Sequence, residues 1–363
     1  MTYLDYQATT PLAPEALAAM LPWLERQHAN PHSAHREGRA ARAAVEYARD
    51  QIAALLPADG AVSFTSGATE ALNWAIKGTT GPIVTLATEH AAVLDTVEAE
   101  CRAGRTVTIL SVQRDGLIDL DRARQAIVPG TGLVAAMLVN NEIGVIQPIA
   151  ELADLAHAAG ALMLCDAVQG IGRVALPDGC DLVALSAHKI HGPKGVGALW
   201  VRRGVTLAPL LHGGGQEAAG RSGTLSPALC AGFGVAAASM RERQNQDAAH
   251  VARLWDIVVS RLGPGWTING SVERRYRGNL NIRHDDLDVA RLMSDLRDIA
   301  FSAGSACASG SGRPSHVLRA IGLDDSAARS SLRLGFGRYT SEDELARAID
   351  LIVAATAIQG LAA

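Results

Sequence analysis

Leu182-Val183-Ala184-Leu185 followed by Ser186-Ala187-His188-Lys189-Ile190-His191-Gly192-Pro193-Lys194-Gly195 is a short apolar run closed by polar residues and a Gly-Pro turn. A run of that length bounded by such signals reads as a buried strand that ends in a loop. Working outward, similar runs are expected at 61–64, 83–86, 107–112, 133–139, 162–165 and 197–201. Helical patterns at 68–77, 91–101, 120–127 and 149–159 separate several of them, each long enough for a crossover. The alternation predicts an α/β fold with a mainly parallel sheet covered by helices on both faces. In such sheets ligands sit at the carboxyl ends of the strands.

Beyond Arg203 the pattern changes. A Gly-rich passage, 212–224, leads into a long helical stretch to about residue 262. Strands near 266–269, 280–282 and 332–336 then mix with helices without regular spacing, as in a smaller α+β domain. The reading places a large domain at 12–245 and a small domain at 1–11 and 246–363.

Composition narrows the function. The chain has 363 residues, 48% hydrophobic, enough for about two domains. A net charge of −4 and 4% aromatic residues offer neither a basic footprint nor a stacking platform, so no nucleic-acid partner is expected. No run approaches the roughly 18 apolar residues of a membrane span, and no signal peptide is read at the N-terminus. Five cysteines, odd in number and without C-x-x-C, disfavour a disulfide framework or a zinc knuckle, so a reduced, cytoplasmic protein is expected. Only three of the 33 basic residues are lysines: Lys77, Lys189 and Lys194. Arginine cannot serve as an amine nucleophile, so any lysine chemistry rests on those three.

The strand ends carry candidate chemistry. Thr65-Ser66-Gly67-Ala68-Thr69-Glu70 opens a helix whose first N–H groups could hold a phosphate, although a simple N-cap by Ser66 or Thr69 is the plainer reading. Thr88-Glu89-His90 ends another run, and His90 alone could equally start a helix. Asp166 closes a buried strand, where a carboxylate needs a positive partner. Lys189 follows the next apolar run along the chain, 182–185. Lysine, aspartate and phosphate site together are what pyridoxal phosphate requires: an amine for the Schiff base, a carboxylate for the pyridinium nitrogen, and a helix N-terminus for the phosphate.

Nine segments carry a family likeness: YLDYQATTP (3–11), TSGATEALNWAIKG (65–78), TEHAAVLDT (88–96), VNNEIGVIQPI (139–149), CDAVQ (165–169), SAHKIHGPKGVGALWVRR (186–203), GGGQEAAGRSGTL (213–225), SAGSACASGSGRPSHVLRAIG (302–322) and SLRLGFGRYT (331–340). In these the chain resembles the cysteine desulfurases, pyridoxal-phosphate-dependent enzymes of fold type I in the class V aminotransferase family, and within them the long-loop group. The resemblance implies that Lys189 is the Schiff-base lysine and moves the Cα proton. Asp166 would pair with the ring nitrogen, Gln169 with the ring oxygen, and His90 would stack on the ring. Ala68, Thr69, Ser186 and His188 would hold the phosphate, joined by Thr224 from a second subunit, which implies a homodimer. Asn141 and Arg333, with Asn30 nearby, would bind the substrate carboxylate.

Cys307 would be the nucleophile that takes sulfur from L-cysteine, leaves L-alanine, and passes its persulfide to an acceptor protein such as an iron–sulfur scaffold. It lies in a stretch, 302–314, of which ten residues are Ser, Gly or Ala, a composition suited to a mobile loop. The resemblance implies no resident metal, only transient contact of the persulfide with an iron–sulfur cluster. Twenty-four residues follow Tyr339, so the longer scaffold-docking tail of housekeeping members is expected to be missing. Alternative readings are a selenocysteine lyase, a class V aminotransferase without a loop thiol, and a non-catalytic sulfur-pathway partner.

Overall fold

The structure, a computed structural model, describes residues 1–217, 220–285, 287–303 and 315–361. In chain order its strands are β1 (Thr2–Tyr3), β2 (Gly60–Thr65), β3 (Ile83–Leu86), β4 (Val107–Leu110), β5 (Leu133–Met137), β6 (Leu162–Asp166), β7 (Leu182–Ser186), β8 (Gly197–Arg202), β9 (Trp266–Ile268), β10 (Asn279–His284), β11 (Ile299–Ala300), β12 (Ser302–Ala303) and β13 (Ser331–Gly335). The main sheet has the order β2-β8-β7-β6-β5-β3-β4. β8 alone is reversed, pairing antiparallel with β2 and β7, while the other pairs are parallel. The expected mainly parallel sheet is therefore present.

Side chains alternate between the two faces of this sheet, as the period of two requires. Cys165, Val183 and Leu185 enter a core with Phe64, Trp200 and Phe233. Leu164, Leu182 and Ala184 enter the opposite core with Leu72, Trp74 and Leu199. Burial on both faces explains why β5 and β7 read as unbroken apolar runs.

Two strands end sooner than their apolar runs suggest. Beyond β5 the chain turns because the Asn140 side-chain oxygen accepts the N–H groups of Glu142 and Ile143, a local turn that replaces the ladder. Val139 keeps only an isolated bridge to Ile146, and Val112, beyond β4, one to Ile118.

β12, β13, β10 and β9 form a separate antiparallel sheet, with β1 and β11 paired beside it. Its core gathers Leu280, Ile282, Leu332, Leu334 and Ile349, and also Leu4 from the N-terminus. One unbroken helix, Pro227–Arg261, about 50 Å long, joins the two units. Its first half packs Cys230, Phe233 and Met240 into the large core, and its second half packs Leu254 and Val258 into the small one.

The helix Arg36–Ala53 buries Ala41, Val45, Ala48 and Ile52 on one face. Arg36, Arg39 and Arg42 on this helix are exposed, whereas Arg49 is half-buried. It pairs with the buried carboxylate of Glu217 at 2.7 Å and lies over the Phe64 ring.

Candidate active site

β2 delivers the chain through Ser66 and Gly67 into the helix Ala68–Lys77. The N-cap is Gly67, and no side chain caps the helix. The simple-cap reading of Ser66 or Thr69 is thus replaced by a different arrangement. The Ser66 N–H donates to Glu70 at 2.6 Å, and the Thr69 carbonyl accepts from Asn73. First-turn N–H groups of a helix have no partner within it, so they remain for an acceptor outside the helix. A Cβ placed on Gly67 would meet nothing within 4 Å. That space belongs to a cleft of about 430 Å³ which Ser66, Gly67, Ala68 and Thr69 line together with Ser186, His188 and Lys189.

Asp166 ends β6 at 4% exposure, with one oxygen accepting the Val168 N–H at 3.0 Å. Burial pushes its pKa up, and the nearby charges of His90 and Lys189 oppose that. Lys189 sits on the turn after β7, where its ammonium donates to the main-chain carbonyls of Gln7 and, at 2.8 Å, Ala8. Gln169 donates to the same Gln7 carbonyl and accepts from Arg173. The His188 ring contacts the Thr9 hydroxyl at 3.1 Å. Burial, helped by the charges of Lys189 and Lys194, holds its pKa down at about 4, so it is neutral near pH 7.

His90 satisfies both readings of its position. It is the N-cap of Ala91–Arg102, its Nδ1 accepting the Ala92 N–H at 3.0 Å, and it also lines the cleft. In the neutral ring that bond leaves the proton on Nε2.

At the other end of the cleft, Arg333 of β13 is 1% exposed and paired with Asp5 at 2.8 Å. It also donates to the Asn141 carbonyl at 3.2 Å. Among the described residues, Arg333 Nε and Asn141 Oδ1 are buried without a hydrogen-bond partner. Leaving a buried donor and a buried acceptor unmade is costly: a carboxylate in the cleft would satisfy Arg333 Nε, and an N–H or ammonium donor on the same ligand would satisfy Asn141 Oδ1. The residues present therefore fit a phosphate-bearing cofactor at one end and a carboxylate at the other.

The cleft brings together Ala68, Thr69, His90, Asn141, Asp166, Gln169, Ser186, His188, Lys189 and Arg333. It does not include Asn30 or Thr224. Both are exposed, and Asn30 accepts the His32 N–H in a local turn. Cys307 lies outside the described residues, whereas His316, just beyond that stretch, contacts the Glu89 carbonyl at 2.9 Å.

Gln7, Ala8, Met137, Lys194 and Gly195 also line the cleft without having been assigned to it. Gln7 and Ala8 lie in the quoted YLDYQATTP motif, which was the available signal. Lys194 was legible from lysine rarity but stood aside as a turn residue.

A reactive-type lysine after β7, a buried carboxylate after β6 and an uncapped helix after β2, on this mainly parallel sheet, define a transferase of the pyridoxal-phosphate-dependent fold type I. The model of the family Aminotransferase class-V matches residues 2–347, and the chain belongs to that family. It is 45% identical over 359 residues to the mitochondrial cysteine desulfurase of Saccharomyces cerevisiae, covering 94% of this chain and 72% of that protein. It is 42% identical over 367 residues to the cysteine desulfurase IscS of Rickettsia bellii, covering 96% and 90%. Among solved structures, a NifS-like protein superposes with a TM-score of 0.91 at 31% identity, covering 99% of this chain and 100% of that one. A structure of SspA in complex with cysteine superposes with a TM-score of 0.84 at 34% identity, covering 94% and 100%.

Proposed function

We propose that the chain is a cysteine desulfurase that binds pyridoxal 5′-phosphate in the cleft, converts L-cysteine to L-alanine and hands the sulfur on as a persulfide of Cys307. The observation that carries this reading is the convergence on one cleft of Lys189, Asp166, Asn141 and an uncapped helix N-terminus with Arg333, whose Nε has no hydrogen-bond partner among the described residues. Its relatives in sequence are named for the same reaction.

Asp166, Gln169, His90 and Lys189 would hold the ring of the cofactor, and Ala68, Thr69, Ser186 and His188 its phosphate. When bound, pyridoxal phosphate supplies an electron sink for a carbanion at the substrate Cα. Arg333 and Asn141 bind the substrate carboxylate, the planar guanidinium suiting a planar anion. That contact presents Cα to Lys189, which removes the proton and returns one as alanine forms. The thiolate of Cys307 attacks the substrate sulfur, so one S–S bond forms as the Cβ–S bond breaks. The products are L-alanine and the Cys307 persulfide, with no outside oxidant or reductant.

Thr224 is exposed and away from its own cleft, which supports a homodimer in which it completes the phosphate site of the second subunit. The acceptor is a protein of iron–sulfur cluster or other sulfur-cofactor synthesis, and the cellular site is the cytoplasm. Among the described residues no helix is long and apolar enough to cross a membrane.

The test is purified protein with L-cysteine, following alanine and sulfane sulfur, with L-selenocysteine run beside it. Alanine and sulfane sulfur in equal amounts are expected. No alanine overturns the reading, and alanine from selenocysteine alone replaces it with a lyase for that substrate. Cys307→Ser is expected to abolish sulfane sulfur transfer.

A further inference from the structure

Among the described residues, the hydroxyls, the helix start and the imidazole at the phosphate end of the cleft bring no formal counter-charge. Ser66, Thr69 and Ser186 are neutral donors, the helix contributes only partial charges, and His188 is unprotonated near pH 7. Taking a phosphate from water into such a cup is unfavourable unless a cation meets it. The guanidinium of Arg221 is engaged by Glu70, in the first turn of that helix, at 2.7 Å with both side chains 13% exposed. Lys189 is held toward the opposite segment, by the carbonyls of Gln7 and Ala8.

We propose that Lys194 is the cation of the phosphate site, its ammonium meeting the cofactor phosphate at the mouth of the cleft. This rests on the reading of the cleft as a pyridoxal phosphate site. Lys194 and Gly195 line the same cavity as Ser66, Gly67, Ala68 and Thr69. The chain just beyond them is pressed onto the helix start: Gly197 pairs with Thr65, and a Cβ on Gly197 would lie 2.6 Å from the carbonyl carbon of Gly67. Lys194 forms no ion pair among the described residues, and its side chain is exposed. Exposure keeps its charge hydrated before the cofactor arrives, and the flexible stem lets the ammonium reach a phosphate oxygen afterwards.

The experiment compares binding of pyridoxal phosphate and of phosphate-free pyridoxal to the cofactor-stripped full chain, by fluorescence titration, in wild type, Lys194→Met and Lys194→Arg. Lys194→Met is expected to weaken pyridoxal phosphate binding about ten- to a hundredfold, the loss of one charge-assisted contact, and to leave pyridoxal binding unchanged. Lys194→Arg is expected to recover most of the loss, and added salt to narrow the gap between wild type and Lys194→Met. If Lys194→Met keeps the wild-type preference for the phosphorylated form, or loses affinity for both forms equally, the assignment is wrong. If wild type itself binds both forms equally, the cofactor reading falls and takes this assignment with it.

Discussion

The guanidinium of Arg333 meets the carboxylate of Asp5 at 2.8 Å, across 328 positions of sequence. Ser302 donates to the same Asp5 oxygen at 2.9 Å, so β12, β13 and the N-terminal segment converge on one ion pair. The pair orients the fork that is to receive the substrate carboxylate, and it neutralises a cation that is 1% exposed.

Removing one partner of a buried pair leaves the other charge uncompensated. Asp5→Ala is therefore expected to lower unfolding free energy by about 3 kcal/mol, read by denaturant melts, and to raise KM for L-cysteine. Asp5→Asn, which keeps an acceptor for the guanidinium, is expected to fall between. An unchanged KM in Asp5→Ala would remove Asp5 from any role in orienting Arg333.

Lys189→Arg separates charge from chemistry. The guanidinium can still donate to the carbonyls of Gln7 and Ala8, so the melting temperature is expected to hold, but it cannot form the covalent link of an amine. Alanine formation and the visible absorbance of a lysine-bound pyridoxal group should both vanish. Persistence of that absorbance would move the linkage to another residue.

What could be read in advance follows from the kind of signal each residue leaves. The helix Ala68–Lys77 was legible to the residue because glycines flank it at Gly67 and Gly78 and its apolar side chains recur with helical spacing. Lys189 stood out through rarity, and Asp166 through charge at the end of an apolar run. The motif YLDYQATTP marked the segment of Gln7 and Ala8, but not that its carbonyls receive Lys189, because a main-chain acceptor is the same in every residue type. The missing cap at Gly67 was equally hidden, since Ser66 and Thr69 have the right chemistry and only geometry sends them elsewhere. Glu217, which accepts from Arg49 and the Phe64 N–H, lies over 150 positions from both, beyond the reach of any local pattern.

His191 predicts a pH slope in stability. It has φ of 69°, is 4% exposed and contacts the Pro11 carbonyl at 3.0 Å. Burial lowers its pKa to about 3 from 6.5 in the unfolded chain. Between those values the unfolded state binds the extra proton, so the stabilisation is present above pH 6.5 and is lost as pH falls toward 3, at about 1.4 kcal/mol per pH unit. His191→Asn, which tolerates the left-handed backbone, is expected to flatten the acid limb of the stability profile by that share. Parallel profiles for wild type and variant would refute it.

Two glycines at the phosphate end should fail in different ways. Gly197→Ala puts a Cβ 2.6 Å from both the Gly67 carbonyl carbon and the Leu185 carbonyl oxygen, neither of which can move cheaply. A loss of about 1–3 kcal/mol in stability is expected, with weaker cofactor retention. Gly67→Ala meets no protein atom within 4 Å, so stability should hold while cofactor retention falls, because the added methyl occupies the cleft. A destabilised Gly67→Ala would contradict that division.

Glu89 immediately precedes the cleft residue His90 in the chain. It is fully buried, one oxygen accepts the Met137 N–H at 2.9 Å, and the other has no partner among the described residues. Burial raises its pKa well above the carboxylate range, the Met137 N–H acts against that, and the charge of Asp166 adds to it. A carboxyl whose folded pKa lies above its unfolded one stabilises fully below the unfolded value of 4.5, and that contribution is lost as pH rises through the folded value. Glu89→Gln keeps the acceptor for Met137 and does not titrate. The variant is therefore expected to gain stability relative to wild type steadily as pH rises above 4.5, measured by denaturant unfolding at a series of pH values. A difference independent of pH would mean that Glu89 is ionised in the folded chain, and a cation would then have to stand beside Oε2.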